Sequence, residues 1–282
     1  MDKIDIEFLQ TWVGRKNFVA DDLNPFAARA LAAALDHPTS PGKGDPLPPS
    51  WHWMYFLDTP SASGTGHDGH PKKGGFLPPV PLPRRMWAAG KLEITQSLML
   101  GTPAMKKSTI RSVDLKEGKS GTLVFVTIEH ALYQNDKLCI LEEQNLVYRD
   151  MPTAPAPLPP GDAAPKDADW VKTIVPDPVL LFRFSALTYN GHRIHYDREY
   201  VTREEFYPAL VVQGPLLATL LLDLVGAQVA DKRVAKFSFR AVRPAFDTAS
   251  FTVSGKREGD RVGLWTSDQE GFTGMTAQAV LV

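Results

Sequence analysis

Between Ser185 and Asp197 the chain gathers an amide (Asn190), two imidazoles (His192 and His195), a phenol (Tyr189), a guanidinium (Arg193) and a carboxylate (Asp197). A long apolar segment follows at once, from Pro208 to Leu224. Acid/base groups beside the start of a buried helix are what a proton-transfer site requires. His195 is the candidate central acid/base, because an imidazole titrates close to working pH. Asp197 also suits a simpler role, capping a helical segment that begins near Arg198. Arg84 and Arg85, after a proline-rich loop, and Arg193 could hold phosphate or carboxylate groups, since a guanidinium matches both geometries. The loop His67-Asp-Gly-His70 carries two histidines with no clear further ligands, and no metal site is expected there.

Several elements must position these groups. The apolar run from Val179 to Phe184 predicts a strand over 179–188, and the segment after the polar turn predicts a helix over about 213–229. Strand-like runs follow at 234–242, 248–256, 261–267 and 275–282, separated by turns at 255–259 and 268–271. The first half repeats the theme without a clear sequence repeat. An alanine-rich helix is predicted over 25–35, then Pro/Gly-rich loops at 38–50 and 58–83, which flank the aromatic stretch Trp51–Leu57. That aromatic stretch reads as core or as the apolar wall of a tunnel. Strands are predicted at 90–100, 107–115, 121–133 and 138–149, with turns at 118–121 and 134–136. Residues 151–169, rich in proline, read as an extended linker. Two domains, 1–150 and 170–282, each with one main helix and an antiparallel meander, are expected.

Charge and composition narrow the class. The 282 residues carry a formal net charge of −1, which gives no bulk attraction to nucleic acid or to an anionic membrane. Residues 208–230 are mostly apolar and about long enough to span a bilayer, but Gln213, Asp223, Gln228 and the Gly214-Pro215 break favour a buried central helix. The single cysteine, Cys139, reads as a small buried hydrophobe in a reducing setting, and the acidic start Met1–Glu7 shows no apolar signal core. A cytoplasmic location is therefore expected. No Gly-rich nucleotide fingerprint, Walker loop or Gly-x-Ser-x-Gly elbow is present.

The chain resembles the two-domain branch of the MaoC-like hydratases and dehydratases, which contains mesaconyl-C4-CoA and itaconyl-CoA hydratases and mitochondrial-type 3-hydroxyacyl-thioester dehydratases. The resemblance rests on Trp51–Leu57, Gly74–Gly90 and Glu142–Tyr148 in the first half, and on Leu187–Asp197 and Leu210–Asp223 in the second. It implies an α+β double hotdog fold, each half an antiparallel sheet wrapped around a central helix. It also implies reversible hydration of an enoyl-CoA thioester, with a short branched or dicarboxylic acyl group such as mesaconyl or itaconyl. Coenzyme A enters as part of the substrate, and no metal or redox cofactor is implied. Whether the two halves complete a pseudo-dimer or two chains pair further as a homo-oligomer stays open.

The wider family carries an Asp-x-Asn-x-x-His loop. Laid on this chain, its three positions fall on Asn190, His192 and His195, so only the histidine matches. Asn190 can orient water or the thioester but cannot move a proton. The resemblance places Gly214 at the start of the hotdog helix, where its backbone N–H could hold the thioester oxygen with the help of the helix dipole. Pro215 suits the first helical turn. His192, Tyr189 and Asp197 are candidates for the second proton carrier or for orienting His195. Arg84, Arg85, Tyr189, Arg193 and Gln213 are the candidate substrate-binding residues. A 3-hydroxyacyl carrier-protein dehydratase, a hotdog thioesterase and a non-catalytic acyl-thioester binding protein are the rival readings.

Overall fold

A computed structural model describes residues 4–118 and 121–282 of the protein. Residues 1–3 of the acidic N-terminus and 119–120 of the turn expected at 118–121 lie outside the described residues. The first half supplies β1 (Lys16–Asp21), β2 (Arg84–Ile94), β3 (Ala104–Gly118), β4 (Gly121–Gln134) and β5 (Lys137–Arg149). The second supplies β6 (Trp170–Ile174), β7 (Val234–Ala241), β8 (Phe251–Glu258), β9 (Arg261–Ser267) and β10 (Thr273–Leu281). All ten form one sheet in the order β1-β3-β4-β5-β2-β7-β10-β9-β8-β6. Every neighbouring pair is antiparallel, as short connections demand. The two halves meet at β2–β7, paired from Ala89 opposite Arg240 to Glu93 opposite Lys236.

Among the described residues, five α-helices accompany the sheet: α1 (Ile6–Gln10), α2 (Pro25–Ala34), α3 (Pro178–Leu187), α4 (Arg198–Arg203) and α5 (Gly214–Gln228). α5 carries Pro215 in its first turn, and nine residues between Leu216 and Val225 are buried. It is apolar nearly all round because it lies in the core, packed on β8, β9 and β10. The first half also packs on it. Trp51 donates from Nε1 to Asp223 at 3.3 Å, and Ser50 meets Thr219 hydroxyl to hydroxyl at 3.0 Å. One core therefore runs from Leu31 and Trp51 through Leu217 to Val253 and Met275. A second cluster lies under the proline-rich loop, where Val80 and Leu82 pack on Val124, Val126 and Tyr148. The helical covering of the first half is correspondingly brief: α2 has ten residues and a 3₁₀ turn spans Trp51–Met54. Among the described residues, no helix is long and apolar enough to cross a membrane.

One expectation is corrected here. The run predicted as a strand over 179–188 is the helix α3. Its start is marked by Asp177, whose side chain accepts from the Leu180 N–H at 2.7 Å, and by Pro178 at the first position. Leu181, Phe184 and Ser185 face inward at helical spacing, but the apolar run around them, broken only by Arg183, is too short to display the period. The strand expected at 90–100 is displaced to Arg84–Ile94, starting as soon as the last proline of the loop is passed. β1 and β6 had no counterpart in the sequence reading, since both are short edge strands with mostly exposed or half-exposed residues.

Leu221 is fully buried on α5. Leu221→Ala is expected to lower the unfolding free energy by about 2–5 kcal/mol in urea titration, through lost burial and the cavity left behind. A loss below about 0.5 kcal/mol, typical of a surface position, would contradict the central placement of α5.

Candidate active site

A cavity of about 1660 Å³ lies between the two halves and is lined by both. His195, on a 3₁₀ turn at Arg193–His195, forms part of its wall. The turn is tied to the segment before α5: Val211 N–H donates to the Ile194 carbonyl at 3.0 Å, and His195 Nδ1 lies 2.7 Å from the Val211 carbonyl oxygen. A carbonyl only accepts, so Nδ1 carries the proton and Nε2 is left as a lone pair. Burial pushes His195 down to about 3, with His192 and His70 acting in the same direction and the Val211 carbonyl opposing. The ring is therefore neutral at working pH and begins as an acceptor.

Gly214 opens α5 on the same cavity. Its N–H has no acceptor among the described residues, as expected of a first-turn amide. A Cβ added there would meet the protein no closer than the Trp87 carbonyl at 3.7 Å. Its φ is not in the left-handed region, so the fold itself does not require glycine here. Close approach of a ligand to the backbone would.

Asn190 lines the cavity, with its Oδ1 accepting the His192 N–H at 3.0 Å. His192 is buried, and its Nε2 lies 3.5 Å from Glu205. Glu205 also lies 2.8 Å from Arg84 Nε, a charge contact in which that N–H finds no aligned acceptor, and it receives the Tyr200 hydroxyl at 3.2 Å. Burial works to raise the Glu205 pKa, but His192, Arg84 and Tyr200 outweigh it and hold it below the ordinary carboxylate value. Arg85 is half-buried on the cavity wall, with no carboxylate within 4.0 Å among the described residues.

Three candidates are engaged elsewhere and do not line the cavity. Tyr189 terminates α3 with a φ of 50° and is 57% exposed. Arg193 is clamped by Asp197 at 2.8 and 3.0 Å and covers the Tyr200 ring. Gln213 is fully buried, donating to the Leu181 carbonyl and the Ser185 hydroxyl, and so fastens α3 to the start of α5. Asp197 takes the capping role, accepting the Tyr200 N–H at 3.0 Å ahead of α4.

The sequence reading gave the 67–70 loop no part in this chemistry. In the fold it is pressed onto the 190–193 turn. The backbones meet at Gly69 and Gly191: a Cβ on Gly69, whose φ is +87°, would lie 1.8 Å from the Gly191 carbonyl oxygen. Arg193 N–H donates to the Asp68 carbonyl at 2.9 Å, and the Arg193 guanidinium to the His67 carbonyl at 3.2 Å. His70 consequently sits 4.0 Å from His192, ring to ring, and His192 sits 5.4 Å from His195. Asp68 Oδ2 lies 2.9 Å from His70 Nδ1. Burial pushes His70 down to about 3, with the nearby Arg85 adding to it against Asp68. Burial would raise Asp68, but the hydrogen bond and charge of His70 hold it below the usual carboxylate range. The pair is thus a carboxylate and a neutral imidazole. The signal in the sequence was the glycine between Asp68 and His70, which answers both to its positive φ and to the close backbone approach.

An antiparallel sheet of two five-strand halves, one long buried helix and a cavity at the junction define a double hotdog protein. A conserved Mycobacterium tuberculosis protein described as having a double hotdog fold superimposes with a TM-score of 0.53 at 12% identity, over 96% of each chain. The profile of the hydroxyacyl-thioester dehydratase type 2 family matches residues 50–247. The mesaconyl-C(4)-CoA hydratase of Chloroflexus aurantiacus is 46% identical over 272 residues, 96% of this chain and 96% of that protein. The mitochondrial hydroxyacyl-thioester dehydratase type 2 of Schizosaccharomyces pombe is 30% identical over 226 residues, 71% of this chain and 74% of that one. The chain belongs to the hydroxyacyl-thioester dehydratase type 2 family.

His70 and His195 each titrate at about 3 in the folded protein against 6.5 for a free imidazole. Between those values the unfolded chain binds protons that the folded chain refuses. Their contribution to stability is therefore complete above pH 6.5 and declines as the pH falls toward 3. Urea midpoints measured across this window should fall on acidification, with a shallower slope in His195→Gln. An equal slope in that variant would refute the assignment.

Proposed function

We propose that the protein is a hydro-lyase that adds water reversibly across the double bond of an enoyl-CoA thioester, and so also dehydrates the 3-hydroxyacyl-CoA. The observation that carries this reading is the sharing of one cavity by the lone pair of a neutral His195 and the unpaired N–H of Gly214 at a helix N-terminus. Water attacks the β-carbon while one of its protons passes to His195 Nε2. The π pair moves toward the thioester, whose oxygen gains charge and is held by the Gly214 N–H and the positive end of α5. His195 then returns the proton to the α-carbon. No net proton enters or leaves.

The acyl group in this reading is short and branched or dicarboxylic, as in mesaconyl-CoA. Its support is the 46% identity to a mesaconyl-C(4)-CoA hydratase over nearly the whole chain, together with Arg85, a guanidinium on the cavity wall without a protein carboxylate. Arg85 can hold a substrate carboxylate or a coenzyme A phosphate. Trp53 and Trp87, 5.0 Å apart edge to face, wall the cavity with apolar surface for the acyl chain. Metal and redox cofactors have no step in this chemistry, and coenzyme A enters with the substrate. The proposed location is cytoplasmic, in keeping with one unpaired, buried cysteine.

Mesaconyl-CoA and crotonyl-CoA should each be tried with the purified protein, following the mass gain of one water and the release of free thiol. Water addition without thiol release is expected. Failure to hydrate any enoyl-CoA of a panel would sink the reading, and thiol release would mark a thioesterase. His195→Gln should lower kcat about 10²- to 10⁴-fold. Gly214→Ala should fold normally, since its methyl meets only ordinary contacts, yet lose about 10²-fold in rate by displacing the thioester. Wild-type rates in both variants would overturn the site while leaving the reaction class intact.

A further inference from the structure

Attack on the β-carbon requires a water held by more than one acceptor, so that its oxygen lone pair points along the reaction path. His195 is one acceptor. Asn190 also lines the cavity. Its Oδ1 already accepts the His192 N–H at 3.0 Å, which leaves one of its two lone pairs. Its amide nitrogen can only donate. Tyr189 and Asp197 are turned to the surface and to helix capping, and His192 Nε2 is directed at Glu205.

We propose that the Asp68–His70 pair of the first half supplies the second acceptor: His70 Nε2 and His195 Nε2 together hold the reacting water. This inference rests on the hydratase reading above. His70 lines the same cavity as His195, and both rings neighbour His192, at 4.0 Å and 5.4 Å centre to centre. Asp68 takes Nδ1–H at 2.9 Å and the backbone N–H of His70 at 3.0 Å. That fixes the ring and the tautomer, leaving Nε2 unprotonated and without a protein partner among the described residues. The two histidines are therefore prepared alike, each with Nδ1–H anchored from behind, one by a carboxylate and one by the Val211 carbonyl.

The loop is built for this placement. It crosses the catalytic turn at Gly69 and Gly191, where neither residue can carry a side chain: a Cβ on Gly191 would lie 2.6 Å from the Gly69 carbonyl oxygen. Gly66 N–H donates to the His70 carbonyl at 2.7 Å and Gly69 N–H to the Gly66 carbonyl at 3.0 Å, closing a tight turn that presents His70. His67 reaches out to Glu204 at 2.6 Å on the surface.

In the hydration direction one O–H bond of water breaks and its proton goes to His195. The oxygen bonds to the β-carbon. The other O–H survives as the product hydroxyl, still donating to His70. The enolate collapses as His195 gives its proton to the α-carbon. His70 ends as it began, and the Asp68 carboxylate offsets the positive charge that builds transiently on the imidazoles.

Asp68, His70 and His192 also offer three donor atoms within 4.8 Å of one another, a spacing that a metal ion could bridge. Asp68 and His70 are already satisfied by each other, and the test includes this outcome. Hydration of crotonyl-CoA or mesaconyl-CoA is measured for the wild type, His70→Gln, Asp68→Asn and the surface control His67→Gln. Binding of butyryl-CoA, which has no double bond to hydrate, is measured for each by calorimetry. His70→Gln and Asp68→Asn should each lose about 10²-fold in kcat with little change in KM or in butyryl-CoA affinity. Asp68→Asn acts because its amide can donate to Nδ1 and turn Nε2 into a donor. His67→Gln should match the wild type, and dialysis against EDTA should leave its rate unaltered. Wild-type kcat in Asp68→Asn or in His70→Gln would overturn the inference. So would a loss of rate on chelation that zinc restores. If His70→Gln does not fold, the nearly isosteric Asp68→Asn decides alone. A wild type that hydrates nothing removes the hydratase reading and this inference together, whereas wild-type turnover with insensitive variants removes only this one.

Discussion

The contact on which the site depends is the crossing of two backbones at Gly69 and Gly191. A side chain on either glycine would drive an atom into the carbonyl of the other, at 1.8 and 2.6 Å. The constraint is steric and admits no adjustment short of moving a loop. It locks the 67–70 turn of the first half to the 190–193 turn of the second, with Arg193 donating twice across the junction. The sheet joins the halves at β2–β7 and α5 gives them a common core, but those contacts would hold equally well without any chemistry. The glycine crossing is what brings histidines more than a hundred residues apart in sequence to one wall of one cavity.

Electrostatics then follows from burial. His70 and His195 are pressed below their ordinary range mainly because a charged ring would lose its hydration, and each has its proton parked on Nδ1. Two neutral acceptors at rest, beside an unpaired helix-terminal N–H, make an environment prepared for charge that appears only during reaction. The carboxylates beside the imidazoles are engaged. Glu205 neutralises Arg84 and faces His192, and Asp68 backs His70. Arg85 lines the cavity with no carboxylate within 4.0 Å among the described residues.

Much of this was legible in the residue order. The four strands after α5 and the long helix at 214–228 follow the expected spans closely, because alternation and a continuous apolar helix are strong local signals. His195 could be singled out from its chemistry in the polar turn, and Gly214 from the family resemblance. α3 could not, since a short apolar run has no visible period and its true marks were Asp177 and Pro178 at its start. Arg193, Gln213 and Tyr189 lie beside the right residues in sequence yet point away from the cavity, and adjacency along a turn carries no information about direction. His70 was missed for the opposite reason. Its partner loop lies in the other half of the chain, and a non-local contact leaves no periodic trace. Only Gly69 recorded it.

The central claim is that the thioester is activated at the junction of the halves, with its oxygen on Gly214 and its β-carbon before the paired imidazoles. A crystal structure of the protein with butyryl-CoA, a thioester that cannot be hydrated, tests it most directly. The account predicts the thioester oxygen about 3 Å from the Gly214 nitrogen, and a water near the β-carbon within hydrogen-bond reach, about 2.6–3.2 Å, of both His195 Nε2 and His70 Nε2. A thioester bound with its oxygen away from Gly214, or an acyl chain that leaves the space before His70 and His195 empty, would contradict it.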